Sequence, residues 1–362
     1  MPAMDTLILK QQLLDDTRTP VWHNFMKHYA DSLTGRAKDG TAPTALQGRD
    51  DVTGETMTSQ IVRDLQMSHA YYVTSDMQAL VTAAAEKMPS DTVVRAQDFP
   101  TPQGWLVIPG GITHLDVRGL PVSTSAILWS VWGGSVHLTL FADKNHPTDR
   151  ARFATAFVND DADPEMREVA RQTLASHRVL PRLTPWADAG QPLEQPITQV
   201  MLSGTVIPPE DARQMTFHRH NGNMTIHFPT GFSPESMNPH LEPAPVTRWL
   251  VACLRIMAQP LASIETIGVP ANLRKQFRKS PVKMKHTLVT VITFRRREGR
   301  GLTGSGREYS HRFLRRGFWR KQWYKPVAHG EWDYYEVYIH PVIVGDPSKP
   351  LILREHVNVL SR

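Results

Sequence analysis

A chain of 362 residues with one cysteine, Cys253, cannot close a disulfide within itself. A disulfide-stapled fold is excluded, and the usage fits a reducing compartment. Cys253 lies in an apolar helical pattern, Trp249–Met257, where a thiol serves as a small packing residue. Long hydrophobic runs are also missing. The longest, around Trp249–Met257 and Leu288–Phe294, are far shorter than the roughly 18–20 residues that span a bilayer. No basic region near Met1 leads into an apolar stretch, so a secretory signal is not expected and a cytoplasmic location is. Several catalytic signatures are absent as well: no Walker-type phosphate loop, no dinucleotide-binding glycine motif, no G-x-S-x-G elbow and no H-E-x-x-H. A lone cysteine excludes a cysteine-based zinc finger. No cofactor, metal or membrane is expected, and the chain reads as a protein without a recognisable catalytic centre.

Charge is plentiful, but it is unevenly spread. The chain has 41 Lys and Arg against 35 Asp and Glu, a net +6. From Arg274 to Lys325 there are 17 basic residues and only two acids, Glu298 and Glu308, a balance of +15. The remaining 24 basic and 33 acidic residues sum to −9. An acidic body therefore carries one strongly basic segment, the pattern of a surface that meets a polyanion.

Hydrophobic content of 40% and charged content of 21% are those of a globular protein large enough for a full core. Apolar residues recur at helical spacing over residues 5–35, and a helix is expected from about 58 to 88, broken near Thr74-Ser75-Asp76. Residues 36–56 read as a loop. From Val93 the period changes to short β-rich runs around Trp105–Ile108, Leu115–Val117, Ser125–Trp132 and Val136–Phe141, separated by Pro-Gly-Gly, Arg-Gly-Leu-Pro and Gly-Gly. Asp143–Ala175 reads as acidic and helical, and 180–196 as Pro-rich and irregular. Further β segments are expected at Gln199–Ile207 and Thr216–Phe228, with a hairpin turn at Asn221-Gly222-Asn223. Arg248–Ala258 is the best buried helix, and strands follow at Thr287–Phe294 and Tyr334–Val344. The expected class is α+β: a helical N-terminal part (1–92), an acidic body with an antiparallel sheet (93–270) and a basic β-rich C-terminal module (271–362).

The candidate site lies in the basic segment. Arg295, Arg296, Arg297 and Arg300 sit in a Gly-rich loop from which arginines can reach phosphates. Next comes Tyr309–Pro326, where Arg312, Arg315, Arg316, Arg320 and Lys321 are interleaved with Phe313, Phe318, Trp319, Trp323 and Tyr324. Aromatic faces among cations are what nucleic-acid bases stack on. Phe318 and one Trp are expected to pack inward, and Trp323 and Tyr324 to be the better stacking faces. His311 and His340 flank this block. Two imidazoles can give and take the protons of RNA cleavage, which makes them the only catalytic candidates. His218 and His220 share one face of the expected hairpin, but no acid or cysteine stands at matching spacing, so an exposed strand face is the simpler reading.

The run Arg315-Arg316-Gly317-Phe318-Trp319-Arg320-Lys321-Gln322-Trp323-Tyr324, followed by the strand Tyr335–Val344, resembles the C-terminal signature of one family. It is that of the type V-A anti-CRISPR protein that lowers production of the Cas12a nuclease. That signature runs Arg-Arg-Gly-His-Trp, then an aromatic element, then a strand ending in a Pro-containing apolar segment. Weaker likenesses lie at Phe99-Pro100 with Trp105–Ile108, and at Trp249–Leu254 with Gln259-Pro260. Phe318 stands where the family has His, so an imidazole there is not an essential base in this chain. Arg316, Gly317, Trp319 and Trp323 match. The resemblance implies a mobile-element protein that recognises a nascent chain or its mRNA during translation and lowers its expression. RNA, and with it the ribosome or a nascent polypeptide, are the implied partners. A ribonuclease using His311 and His340, or a DNA-binding maintenance protein, are the alternatives.

Overall fold

The computed structural model describes residues 2–34, 50–89, 91–115, 121–132, 134–143, 145–146, 168, 171–172, 175, 179–181, 191–192, 195–196, 200–202, 205–207, 216–220, 223–227, 244–295, 310–324, 333–344 and 348–352. Among them are the helices α1 (Pro2–Asp16), α2 (Pro20–Thr34), α3 (Gly54–Met67), α4 (Ser75–Glu86), α5 (Ala244–Met257) and α6 (Ala271–Lys279). Their starts are written locally. Pro2 and Pro20 take first helical positions, where a missing N–H costs nothing. Thr53 caps α3 by accepting from the Thr56 amide, and the Thr56 hydroxyl accepts from the Thr53 amide in return.

The strands before α5 are β1 (His69–Val73), β2 (Val93–Val94), β3 (Gln103–Leu115), β4 (Pro121–Trp132), β5 (Ser135–Asp143), β6 (Val179–Pro181) and β7 (Gln191–Pro192). They continue with β8 (Gln195–Pro196), β9 (Val200–Leu202), β10 (Thr205–Ile207), β11 (Thr216–His220) and β12 (Asn223–His227). After α5 come β13 (Ala262–Gly268), β14 (Leu288–Phe294), β15 (Arg312–Arg315), β16 (Phe318–Tyr324), β17 (Asp333–Ile339), β18 (Val342–Val344) and β19 (Leu351–Ile352). The class is α+β. The main sheet has eight strands in the order β13-β14-β1-β3-β4-β5-β6, with β7 also on β5, and so draws on all three sequence segments.

The meander β3–β4–β5 is antiparallel, as its turns suggest. Four local readings differ. The helix expected from 58 to 88 is divided by β1, whose run His69-Ala70-Tyr71-Tyr72-Val73 is short, apolar and β-forming. β1 runs parallel to both β14 and β3, so the sheet is mixed rather than purely antiparallel. Pro109-Gly110-Gly111 does not end a strand: β3 runs through it with a register shift between Val107 and Ile112. Gly110 and Gly111 absorb that irregularity at φ of 75° and 68°, which other residues rarely adopt. Residues 179–181, 191–192 and 195–196 form short strands within the stretch read as irregular. β11 and β12 pair as the expected hairpin, with His220 opposite Asn223. Most of the expected loop at 36–56 and helix at 143–175 lie outside the described residues.

Both faces of the sheet are covered. Tyr71, Val73, Leu106, Ile127, Trp129 and Ile292 point to one side, into a core with α4 and α5. Ala70, Trp105, Leu128, Phe141, Val289 and Val291 point to the other, against α1, α2, α3 and α6. The period-two alternation of two apolar sets explains why the strands read as continuous hydrophobic runs. No helix among the described residues is long and apolar enough to cross a membrane.

Candidate nucleic-acid interface

The hairpin β16–β17 brings the basic aromatic block onto the core. Its register pairs Phe318 with Ile339, Trp319 with Tyr338, Arg320 with Val337 and Lys321 with Glu336. Alternation then separates two faces. The inner face carries Trp319, Lys321, Glu336 and Tyr338. The Trp319 indole N–H donates to the Ala84 carbonyl at the end of α4 (2.7 Å), and its ring lies 5.3 Å from that of Tyr338. Tyr338 is 2% exposed, its backbone amide donates to Gln259 Oε1, and burial pushes its hydroxyl pKa up.

Beside it is an internal ion network. Arg255 of α5 makes a two-point bridge to Asp98 (2.9 and 3.0 Å), a hydrogen bond to the Val93 carbonyl (2.6 Å) and an ion pair with Glu336. All three charged side chains are almost wholly buried, so each needs its partners. The network fixes β17 to α5 and to the turn after β2. Arg95 adds a bond from its guanidinium to the Tyr334 carbonyl.

Gly317 sets how closely β15 and β16 join this assembly. A Cβ there would stand 2.2 Å from the Tyr338 hydroxyl and 2.9 Å from Pro341 Cδ. Glycine is required there by close approach.

The outer face of the hairpin carries Phe318, Arg320, Gln322, Tyr335 and Val337. Arg320 is exposed and donates to Gln322 Oε1 (2.6 Å). Phe318, expected inward, is 37% exposed, with the Arg315 guanidinium 5.1 Å above its ring. Tyr335 is 51% exposed on the same face. Trp319, by contrast, is anchored by its N–H and ring. Tyr335 was not among the sequence candidates; the signal for it was its place opposite Gln322, two residues from Arg320.

The other candidates fall as follows. Arg315 and Arg316 are exposed, and Arg312 donates from Nε to the Lys349 carbonyl (2.8 Å). Lys321 lies 3.9 Å from Asp91 and over the Tyr334 ring, and the Tyr334 hydroxyl holds its ammonium above the ordinary value. Arg295 is exposed where β14 ends. Arg296, Arg297 and Arg300 lie outside the described residues, as do the side chains of Trp323, Tyr324, His218 and His220. His311 and His340 are not brought together. β15 pairs with β18 so that Arg315 meets Val342, which leaves them at opposite ends, about six residues or ~20 Å apart. His311 contacts the Ser310 hydroxyl, and His340 lies edge-on to Phe294. No metal-binding group of His, Cys, Asp or Glu occurs among the described residues.

No family model matches the chain, and no curated protein matches it. Among solved structures it is similar to the crystal structure of AcrVA2, at 13% sequence identity and a TM-score of 0.31, over 93% of this chain and 98% of that one.

Proposed function

We propose that the chain is an anti-CRISPR-like regulator of gene expression, carried by a mobile element, that engages RNA through the outer face of β16 and β17. On this reading it meets a message or its nascent chain during translation and lowers expression of that target. The observation that carries the proposal is the division of roles across β16. Trp319 and Tyr338 lock the hairpin to the core, while Arg315, Arg316 and Arg320 stand exposed beside the aromatic faces of Phe318 and Tyr335. Cations along a backbone path with adjoining aromatic platforms suit single-stranded nucleic acid. The sequence resemblance over 309–345 points to the same task, and Gly317 and Trp319 are matching positions with demanding structural roles. The −9 balance of the rest of the chain limits indiscriminate adhesion to ribosomal RNA.

The test is binding of labelled single-stranded RNA across a salt series, reading anisotropy and RNA integrity together. Intact RNA bound with a steep salt slope, weakened in an R315Q/R316Q/R320Q variant, is the expected result. Cleaved RNA, or a preference for duplex DNA at matched salt, contradicts it.

A further inference from the structure

The basic segment is one stretch in the sequence but two surfaces in the fold. β16 and β17 pack on the sheet face that holds α4 and α5, whereas Leu273, Phe277, Val282 and Met284 pack α6 and the turn after it on the opposite face. Between Ala271 and Leu288 there are six Lys and Arg and no acid: Arg274, Lys275, Arg278, Lys279, Lys283 and Lys285. All six are exposed. Two of them serve the local fold. Arg274 donates to the Val269 carbonyl, and Lys283 donates to the Arg278 and Ser280 carbonyls. Among the described residues Lys275, Arg278, Lys279 and Lys285 have no carboxylate within ion-pair reach.

That arrangement works against the helix itself. Arg274 with Arg278, and Lys275 with Lys279, are like-charge pairs one turn apart, about 6 Å along the axis, and each is unfavourable. Arg274 and Lys275 also stand towards the positive end of the helix dipole, with no acid in the first turn to offset them. Arg278 and Lys279, in the last turn, suit the dipole, so the unoffset cost lies in the two like-charge pairs and in Lys275 near the positive end, a cost that a bound polyanion would relieve. The surface continues beyond the helix. The rings of His69 and His286 stack at 3.8 Å, next in sequence to Lys285 and to Ser68, whose carbonyl accepts from the buried amine of Lys10. Both imidazoles are held below their ordinary pKa, by burial first and then by neighbouring cations including Lys10 and Lys285. Burial leads both shifts, and the exposed cation of Lys285 adds to them.

We infer that α6 and the turn to His286 form a second surface for the phosphodiester backbone of nucleic acid, on the opposite side of the sheet from β16. Exposed cations at one-turn spacing along a helix suit phosphates rather than bases. The surface is independent of the β16 reading and stands on α6 and the turn to His286.

The experiment uses the full chain with a labelled 30-nucleotide oligouridine in a salt series, comparing wild type, K275Q/R278Q/K279Q and R315Q/R316Q/R320Q. An unchanged circular dichroism spectrum and a melting temperature no lower than that of wild type establish that each variant is folded. Loss of three phosphate contacts lowers the salt slope by about 2, at roughly 0.7 per contact on a single strand, and weakens binding at low salt at least tenfold. K275Q alone, one exposed side chain, lowers the slope by about 0.7 and covers a triple variant that misfolds. An α6 variant with wild-type affinity and slope overturns the inference, whatever the β16 variant does. Loss confined to the α6 variant upholds it and removes the β16 reading instead. A protein that ignores the oligouridine but binds polyglutamate through the same three residues overturns it in favour of an acidic protein partner.

Discussion

Single residues carry the tightest constraints, and two of them give sharp expectations. Arg255 holds Asp98, Glu336 and the Val93 carbonyl inside the fold. Its replacement by alanine leaves two buried carboxylates without a counter-charge, and a loss of about 3–5 kcal/mol in a urea melt is expected. A loss below about 1 kcal/mol would mean that the network is not buried in solution. Lys10 works in the other sense. Its amine is buried, donates to the Ser68 carbonyl, and has its pKa lowered by desolvation from the ordinary 10.5 to about 7. Below pH 7 the amine is charged in the folded and unfolded chain alike, and the fold bears the whole cost of burying it. Between pH 7 and 10.5 the folded amine is neutral while the unfolded one still holds its proton, so stability rises with pH. Lys10→Met is therefore expected to raise the melting temperature most at pH 6–7, with the gain fading towards pH 10. His69 and His286, also depressed, deepen the loss as pH falls below their ordinary 6.5. A gain independent of pH would contradict the burial of a titrating amine.

Elements explain which expectations were legible. The meander β3–β5 and the helix α5 follow from period and turn residues, signals that local sequence contains. β1 did not follow, because its five residues lie between two helices and both of its partners are distant, β14 more than 200 residues away. Helical periodicity on either side hid a strand that only long-range pairing stabilises. The candidate site shows the same limit. The residues of β16 were identifiable by type, but alternation does not say which face meets the core. That choice is made by Ala84, Gln259 and Arg255, all remote in sequence, and it turns Trp319 inward and Phe318 outward. The consequence is testable by a pair of variants. Trp319→Ala should cost about 3 kcal/mol of stability by removing a packed anchor. Phe318→Ala with Tyr335→Ala should leave stability nearly unchanged while weakening RNA binding by about 1–3 kcal/mol per lost stacking face. The reverse pattern would place the binding aromatics on the inner face.

For the whole molecule, the decisive property is the contrast between an acidic body and a basic segment that the sheet divides in two. A charge count along the chain has no direction, so the +15 balance read as one surface. Only the packing of Phe277 on one side and Tyr338 on the other separates it. On the proposed function, the chain meets RNA during translation and lowers expression of a target. The most direct measurement is to express wild type and the R315Q/R316Q/R320Q variant at equal levels, then to sequence total RNA and probe ribosome fractions. The account predicts that the wild-type protein co-sediments with translating ribosomes and depletes at least one transcript, and that the variant loses the depletion. A protein absent from ribosome fractions that leaves every transcript unchanged would contradict it.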